Sequence, residues 1–387
     1  MRSPQSGPEA SEAGPDPGAG WLAAASDPTA FRAEQDRFRY LWTFLGFASD
    51  AAGDGDWFRA SLGGRSVFVQ RSGGVLRGFE NRCAHRGYPI RTQDKGTGPI
   101  VCGLHHWRYD EEGRAVGIPM SRQVFGASPG ELDLGLPQLD VGLCGQFVFG
   151  RFPSDGVVEP LEACLGPGFK ILEAMSAGSH GSTDRTHLLA SNWRFFSHLT
   201  MDDYHLAAVH PTTSGRNNYY LKPDDLDYHR FGLHSLYLWG DHALTLDGLA
   251  RDCANGDWRS ESYFILSVFP NLIISHAASV DRYIFVSHLT PLAPDRTRLT
   301  SRIYPLDRPL SVRGKWIRRF APLAWAAGWV VRRISRRVLM EDIVAAGRLQ
   351  ETAAQMDVFP MLGAYEERLG WFEENYRRVM EGAEAPR

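Results

Sequence analysis

Four metal-capable side chains in two short, similar segments constrain this chain more than anything else in it. Asn81-Arg82-Cys83-Ala84-His85-Arg86-Gly87 is followed by Val101-Cys102-Gly103-Leu104-His105-His106-Trp107. The pattern is C-x-H, a gap of sixteen residues, then C-x-x-H. Two thiolates and two imidazoles form a mixed soft and borderline ligand set. Each half offers one sulfur and one nitrogen from a tight loop, so two loops can close on one metal group. A mononuclear zinc is one such group, although structural zinc motifs usually pair cysteine with cysteine within a half. A [2Fe–2S] cluster with two Cys on one iron and two His on the other asks each loop for one of each.

The rest of the chain must provide a scaffold for such loops. At 387 residues it is long enough for two domains. Forty glycines and 23 prolines favour a turn-rich, β-rich protein over a helical bundle. The five cysteines (Cys83, Cys102, Cys144, Cys164 and Cys253) are an odd count, unlike a secreted disulfide framework. A net charge of −3 gives no reason to expect nucleic acid as a partner. Met1 to Gly20 is rich in Pro, Gly, Ser and Ala, and is expected to be disordered rather than a signal peptide or transit helix. Phe320 to Val331 is apolar but too short to span a bilayer. The expectation is a soluble cytoplasmic protein with no membrane partner.

Three regions are expected: 1–38, a disordered N-terminus and a leading amphipathic helix from about 21; 39–155, a small antiparallel β domain; and 156–387, a second domain. In the first domain, Ser66 to Gln70, Pro99 to Val101, Trp107 to Tyr109 and Gln146 to Phe149 read as strands. Asp110-Glu111-Glu112-Gly113 reads as a hairpin turn. In the second, Leu188 to Val209 reads as one helix stopped by Pro211. Alternating strands follow at Glu261 to Phe269, Asn271 to His276, Asp281 to Leu289 and Arg296 to Tyr304. Helices are expected around 311 to 338 and from about 340 to 380. Strands with helices packed on one face give an α+β fold.

The long helix carries Asn192-Trp193-Arg194 and then Met201-Asp202-Asp203-Tyr204-His205-Leu206-Ala207-Ala208-Val209-His210. Asp202 and His205 are three apart and share a face. His205 and His210 are five apart and would diverge by roughly 140° on an ideal helix. Both reach one metal only if the helix is distorted or ends between them, and Pro211 marks an end.

The two Cys/His segments resemble the Rieske domain, and N-W-R…D-x-x-H-x4-H resembles the catalytic helix of Rieske non-haem iron ring-hydroxylating oxygenase α subunits. The resemblance covers roughly residues 40 to 380. It implies a [2Fe–2S] cluster on Cys83, His85, Cys102 and His105, and a mononuclear Fe(II) on His205, His210 and a later carboxylate. Met340-Glu341-Asp342-Ile343-Val344, followed by Gln350, is the best match for that carboxylate, with Asp342 chosen and Glu341 as runner-up. The resemblance also implies an electron relay from NAD(P)H through a reductase, with or without a ferredoxin, to a terminal oxygenase acting with O2 on a small organic substrate, aromatic or not. Hydroxylation, dihydroxylation and oxidative demethylation use the same metals. A homotrimer is implied, with an aspartate, matched by Asp202, coupling the cluster of one subunit to the iron of the next.

Two positions depart from the family pattern. His106 stands where Gly is usual, and His198-Leu199 stands where Glu or Asp followed by Asn is common. His198 is either an extra titratable group near the iron or a satisfied core histidine. Phe196, Met201, Leu206, Val209 and Phe264 are pocket candidates, although apolar residues at such spacing usually form core. The basic run Arg313, Lys315, Arg318, Arg319, Arg332, Arg333, Arg336 and Arg337 either docks an acidic electron donor or is a solvated helix face. Competing readings from other classes are a Rieske-type electron-transfer protein without oxygenase chemistry and a zinc-stabilised binding protein.

Overall fold

The structure, a computed structural model, describes residues 25–154, 159–176, 183–213, 226–239, 245–255, 263–276, 283–305, 321–355 and 361–382. The chain opens with helix α1, Pro28–Phe38, capped by Asp27, whose side chain accepts from the Thr29 N–H. The first β unit then contributes β1 (Thr43–Phe47), β2 (Asp56–Leu62), β3 (Arg65–Ser72), β4 (Val75–Glu80), β5 (Lys95–Thr97), β9 (Gln138–Cys144) and β10 (Phe147–Arg151) to one antiparallel sheet ordered β1-β10-β9-β4-β3-β2-β5. A small three-stranded sheet stands apart from it: β6 (Ile100–Val101), β7 (Arg108–Tyr109) and β8 (Ala115–Gly117). The expected turn between Tyr109 and Arg114 closes β7 onto β8, with Gly113 at φ +80° donating its N–H to Asp110 O. Two short helices follow, α2 (Ser121–Phe125) and α3 (Pro129–Leu132).

The second unit is a seven-stranded antiparallel sheet. Its strands are β11 (Thr183–Leu189), β12 (Leu226–Phe231), β13 (His234–Trp239), β14 (Tyr263–Val268), β15 (Leu272–His276), β16 (Tyr283–Ala293) and β17 (Arg296–Pro305), in the order β11-β17-β16-β15-β14-β13-β12. The last four match the strands expected from alternation, to within two residues at most ends. The helices are α4 (Leu161–Leu165), α5 (Gly168–Met175), α6 (Trp193–Leu199), α7 (Leu206–Val209), α8 (Leu246–Asn255), α9 (Ala321–Ala353) and α10 (Glu367–Glu381).

Three expectations are corrected. Helices cover both faces of the second sheet, not one. One face, through Leu236, Leu238, Phe264, Leu266 and Val286, shares a core with α4, α5 and α8 and with Phe44, Phe47, Phe147 and Phe149 of the first unit. The opposite face, through Tyr237, Ile265 and Ile273, packs on α1, α6, α9 and α10. Second, Leu188 and Leu189 belong to strand β11, so the long helix expected from Leu188 to Val209 is in fact two short ones. Third, the helix boundary expected near residue 339 is absent, because α9 runs unbroken from Ala321 to Ala353. The leading helix starts at Pro28, and the residues before Ala25 lie outside the described part, as do Arg313, Lys315, Arg318 and Arg319.

Candidate metal centres

The tip of the first unit is built from a repeated turn. In the first loop Cys83 N–H donates to Tyr88 O at 2.8 Å and Gly87 N–H to Cys83 O at 2.9 Å. In the second, Cys102 N–H donates to Trp107 O at 2.9 Å and His106 N–H to Cys102 O at 3.0 Å. The fourth residue after each Cys therefore takes a left-handed backbone, Gly87 at φ +73° and His106 at φ +56°. This explains why glycine suits position 106 and why a histidine there carries a conformational cost.

The repeat turns both cysteines inward and both histidines outward. Cys83 and Cys102 are buried free thiols. His85 Nδ1 and His105 Nδ1 meet at 3.2 Å on the exposed side. Trp107 stacks flat on His85, centroids 4.9 Å apart, and Phe125 meets both rings edge-on. Tyr109 Oη lies 3.0 Å from Cys83 Sγ and accepts from the Ala84 N–H at 3.1 Å, which leaves its own O–H aimed at the sulfur. Burial, followed by the hydrogen bond to Cys83, pushes the Tyr109 hydroxyl well above its ordinary pKa, so it stays a donor. Burial, and then the neighbouring His105 and Arg86, hold the His85 proton affinity below its usual value. Two inward sulfurs and two convergent Nδ1 atoms suit a [2Fe–2S] group bound by two Cys and two His.

The second centre uses the broken helix. Asn192 caps α6, accepting from Arg194 N–H and donating to Ala25 O and Pro294 O. Trp193 donates its indole N–H to Glu34 of α1 at 2.9 Å. Arg194 pairs with Glu373 of α10. His198 Nε2 lies 2.6 Å from Glu373 Oε1, so His198 is a satisfied core histidine. Burial, offset in part by Glu373, lowers its proton affinity. After Leu199 the helix yields to turns, and α7 restarts at Leu206 with His205 and His210 bracketing it. His210 closes α7 with a non-helical backbone, φ −115° and ψ 47°, so the pair departs from the ideal helix on which the two would diverge by roughly 140°.

The two imidazoles converge on a carboxylate of α9. His210 Nε2 lies 3.0 Å and His205 Nε2 3.6 Å from Asp342 Oδ1. One donor atom from each of the three residues lies within 4.8 Å of the others. Asp342 Oδ1 is buried and has no partner in hydrogen-bonding geometry despite that proximity. An oxygen orphaned where two ring nitrogens point is what a cation fits, and two His with one carboxylate are a donor set for ferrous iron. Glu341, the runner-up, lies on the other side of His210: its Oε2 accepts from Nδ1 at 2.8 Å and from the Thr213 hydroxyl at 3.2 Å, while Oε1 accepts from Arg337. Asp202 stands in the matching place for His205, with Oδ2 at 3.3 Å from Nδ1 and Oδ1 accepting from the Tyr204 N–H. Each imidazole thus has a carboxylate behind it and faces Asp342 in front. Burial opposes charge on His205, but hydrogen bonding and attraction from Asp202 and Asp342 outweigh it and raise its pKa to about 10. The pocket favours positive charge.

Of the pocket candidates, Phe196 and Met201 are core on the α6 side. Phe264 points into the core on the opposite face of the sheet, because side chains alternate along β14, and so it cannot line the iron side. Leu206 and Val209 are half-buried on α7. Sequence reasoning missed Glu34 and Glu373, since a carboxylate in an amphipathic helix gives no sign that it is buried.

Comparison with known proteins agrees with this geometry. Residues 174–382 match the family model described as ring hydroxylating alpha subunit (catalytic domain), and residues 41–133 match the Rieske [2Fe-2S] domain. The chain belongs to the ring-hydroxylating oxygenase α-subunit family. It is 31% identical over 182 residues to the terminal oxygenase component subunit alpha 2 of terephthalate 1,2-dioxygenase from Comamonas sp., covering 44% of this chain and 43% of that one. It is 30% identical over 198 residues to the large oxygenase component of salicylate 5-hydroxylase from Ralstonia sp., covering 46% of each. The matched stretch thus spans less than half the length of these relatives. Among solved structures, naphthalene 1,2-dioxygenase with indole in its active site superposes with a TM-score of 0.69 at 17% identity over 94% of both chains. The apo quaternary ammonium Rieske monooxygenase CntA does so at 0.69 and 14%, covering 94% of this chain and 96% of that one. Among the described residues, no helix is long and apolar enough to cross a membrane.

Proposed function

We propose that this chain is the terminal oxygenase component of a Rieske non-haem iron oxygenase, cytoplasmic and working as a homotrimer. Electrons come from NAD(P)H through a reductase, with or without a ferredoxin, and the reaction inserts oxygen from O2 into a small organic substrate. The observation that carries this reading is the pairing, in one chain, of a Cys2His2 tip with a two-His-one-carboxylate convergence. A pure electron-transfer protein has no use for the second. In this reading Cys83, His85, Cys102 and His105 hold the cluster, His205, His210 and Asp342 hold the iron, and the division near residue 155 separates the two functions.

The cluster, when bound, supplies single electrons, and the iron supplies a coordination site at which O2 is activated beside substrate. The protein's own part is orientation. Glu341 accepts from the Nδ1 side of His210 and Asp202 stands 3.3 Å from His205 Nδ1 as its charge partner, which orients both rings toward the same point. The capped helix start and the Arg194–Glu373–His198 contacts hold the break in the helix against α10. Asp202 is only partly buried, and in this reading a second imidazole reaches it in the trimer from a neighbouring cluster tip.

Iron and sulfide analysis should give about three irons per chain and a red-brown protein. Substrate-dependent consumption of NADH and O2 with a surrogate reductase tests the activity. Colourless protein with stoichiometric zinc would overturn the reading. Asp202→Asn should keep both metals yet reoxidise its pre-reduced cluster slowly when substrate and O2 are added. Reoxidation at the wild-type rate removes Asp202 from the electron path.

A further inference from the structure

Arg332, Arg333 and Arg336 of α9 take no part in the two metal centres. The structure gives this arginine run a pattern that the sequence did not reveal. Trp329, Arg333, Arg336 and Met340 follow steps of four, three and four, and all are exposed. Beside them run Val330, Ile334 and Val344, each between 45% and 53% exposed. Arg333 sits over the Trp329 ring, 5.5 Å from its centroid. No carboxylate among the described residues lies within ion-pair distance of Arg332, Arg333 or Arg336, whereas Arg337 is engaged by Glu341. An ordinary solvated face carries mixed charges and few large apolar groups. This one interleaves Trp, Met and aliphatic side chains with arginines, the composition of a protein-binding hot spot.

Position relative to the iron gives the face a purpose. Asp342 projects inward from the same helix, roughly 150° round from the exposed stripe. A protein seated on the stripe is therefore separated from the catalytic centre by about one helix diameter, ~10 Å, across the helix, with Arg333 and Arg336 roughly 9–14 Å from Asp342 along its axis. We propose that the outer face of α9 is the docking seat of an acidic electron-transfer protein. This rests on the oxygenase reading, in which each iron lies beside the cluster of a neighbouring subunit. The donor gives up one electron, the cluster accepts one, and no atom is transferred.

Charge selects this occupant over the others. A second copy meeting the stripe with its own α9 would set arginine against arginine. A second copy meeting it with the cluster tip would bring exposed Arg86 and Arg108 beside His105 and His106, again like charge on like. A lipid surface favours a helix with cations flanking a continuous apolar face, whereas here the arginines lie among the apolar residues.

The test uses the holoprotein with its cluster. The probe is a reduced, acidic [2Fe–2S] ferredoxin, with cluster reduction followed by stopped-flow absorbance at low and high salt. Wild-type protein should be reduced faster at low salt. Reversing Arg332, Arg333 and Arg336 to Glu should slow reduction by about tenfold or more and abolish the salt dependence, while reduction by dithionite stays at the wild-type rate. Arg333→Gln with Arg336→Gln should give an intermediate loss and covers the case in which the triple variant misfolds. Equal ferredoxin rates in wild type and variants would overturn the proposal, as would a wild-type cluster that dithionite reduces but ferredoxin does not at any salt. Binding to phosphatidylserine vesicles that the variants lose, with ferredoxin rates unchanged, would assign the face to a lipid surface. A change of oligomeric state in the variants, again with ferredoxin rates unchanged, would assign it to a second copy. Protein that carries no cluster at all would instead sink the oxygenase reading, so the two failures are distinct.

Discussion

At the Cys/His tip all four proposed cluster donors come from residues 83–105, whereas the proposed iron triad draws on residues 205, 210 and 342. The tip is local. Two copies of one turn, each closed by the same pair of backbone hydrogen bonds, deliver a Cys inward and a His outward. The triad is global. It needs a helix that stops at Leu199, another that restarts at Leu206, and a third helix laid across them from well over a hundred residues downstream. The tip leaves its imidazoles in solvent, where a partner can reach them. The triad buries His210, half-buries His205 and Asp342, and sets carboxylates on the far sides of both rings. The two proposed metal centres thus sit on opposite kinds of scaffold.

The sharpest test of that contrast is separability. Cys83→Ser should abolish the red-brown colour and the cluster while leaving the iron triad able to hold metal. Asp342→Ala should lose the mononuclear iron with the Rieske spectrum intact. Turnover should fall to background in both. Metal analysis and visible spectra decide the matter, and loss of both centres from either variant would show the two regions to be one folding unit. Emptying of the iron site by Glu341→Ala but not by Asp342→Ala would exchange the roles of the two carboxylates.

A smaller effect concerns the support behind the triad. Burial raises the Glu34 pKa from 4.5 to about 7, against the pull of Arg194 and hydrogen bonds from Tyr376 and Trp193. The folded state therefore binds this proton more tightly than the unfolded chain. Stability from this group is full below the unfolded value of 4.5 and is lost as pH rises through about 7. At about 1.4 kcal/mol per unit, the penalty at high pH is about 3 kcal/mol. Glu34→Gln should remove it, so the variant should gain stability over wild type progressively from roughly pH 5 to roughly pH 8. Parallel denaturation curves at all pH values would show that Glu34 is not desolvated.

The two remaining predictions probe the tip. Tyr109→Phe removes a hydrogen bond to the Cys83 sulfur, which is worth more when the cluster carries the extra negative charge of reduction. The midpoint potential should fall by something on the order of tens of millivolts, read by redox titration. An unchanged potential would mean the hydroxyl points elsewhere in the loaded protein. His106→Gly relieves a left-handed backbone in a non-glycine residue and should raise thermal stability by about 1 kcal/mol or less. A loss of stability would mean the imidazole makes a contact worth more than the strain.

What could be read from the sequence divides along the same line. The tip was legible because its donors, its turn at Asp110 to Gly113 and its odd residue at 106 are all close neighbours in the chain. The strands from 263 to 305 were legible by alternation. The hairpin of β12 and β13 was not, because β12, at the sheet edge, breaks its period with Asp227, His229 and Arg230 among apolar residues. The break between α6 and α7 carries neither Pro nor Gly across residues 200–205; it is marked by Asp202, whose side chain takes the Tyr204 N–H in place of a helical carbonyl. Glu341 and Asp342 are adjacent on α9, so only the direction in which His210 approaches distinguishes them.

The join between the two units sets a limit on recombination. Asn271, in the turn before β15, receives the Phe44 N–H at 3.2 Å and donates to the Phe44 carbonyl at 2.9 Å, completing strand β1 from the other unit as a neighbouring strand would. Phe44 itself lies in the core shared with the second sheet. A chimaera that grafts a foreign cluster module onto this catalytic sheet therefore cannot be cut at the linker alone. It must carry over an aromatic of matching shape at position 44 and an amide at 271. Otherwise it leaves a void costing about 3–5 kcal/mol together with unpaired backbone groups.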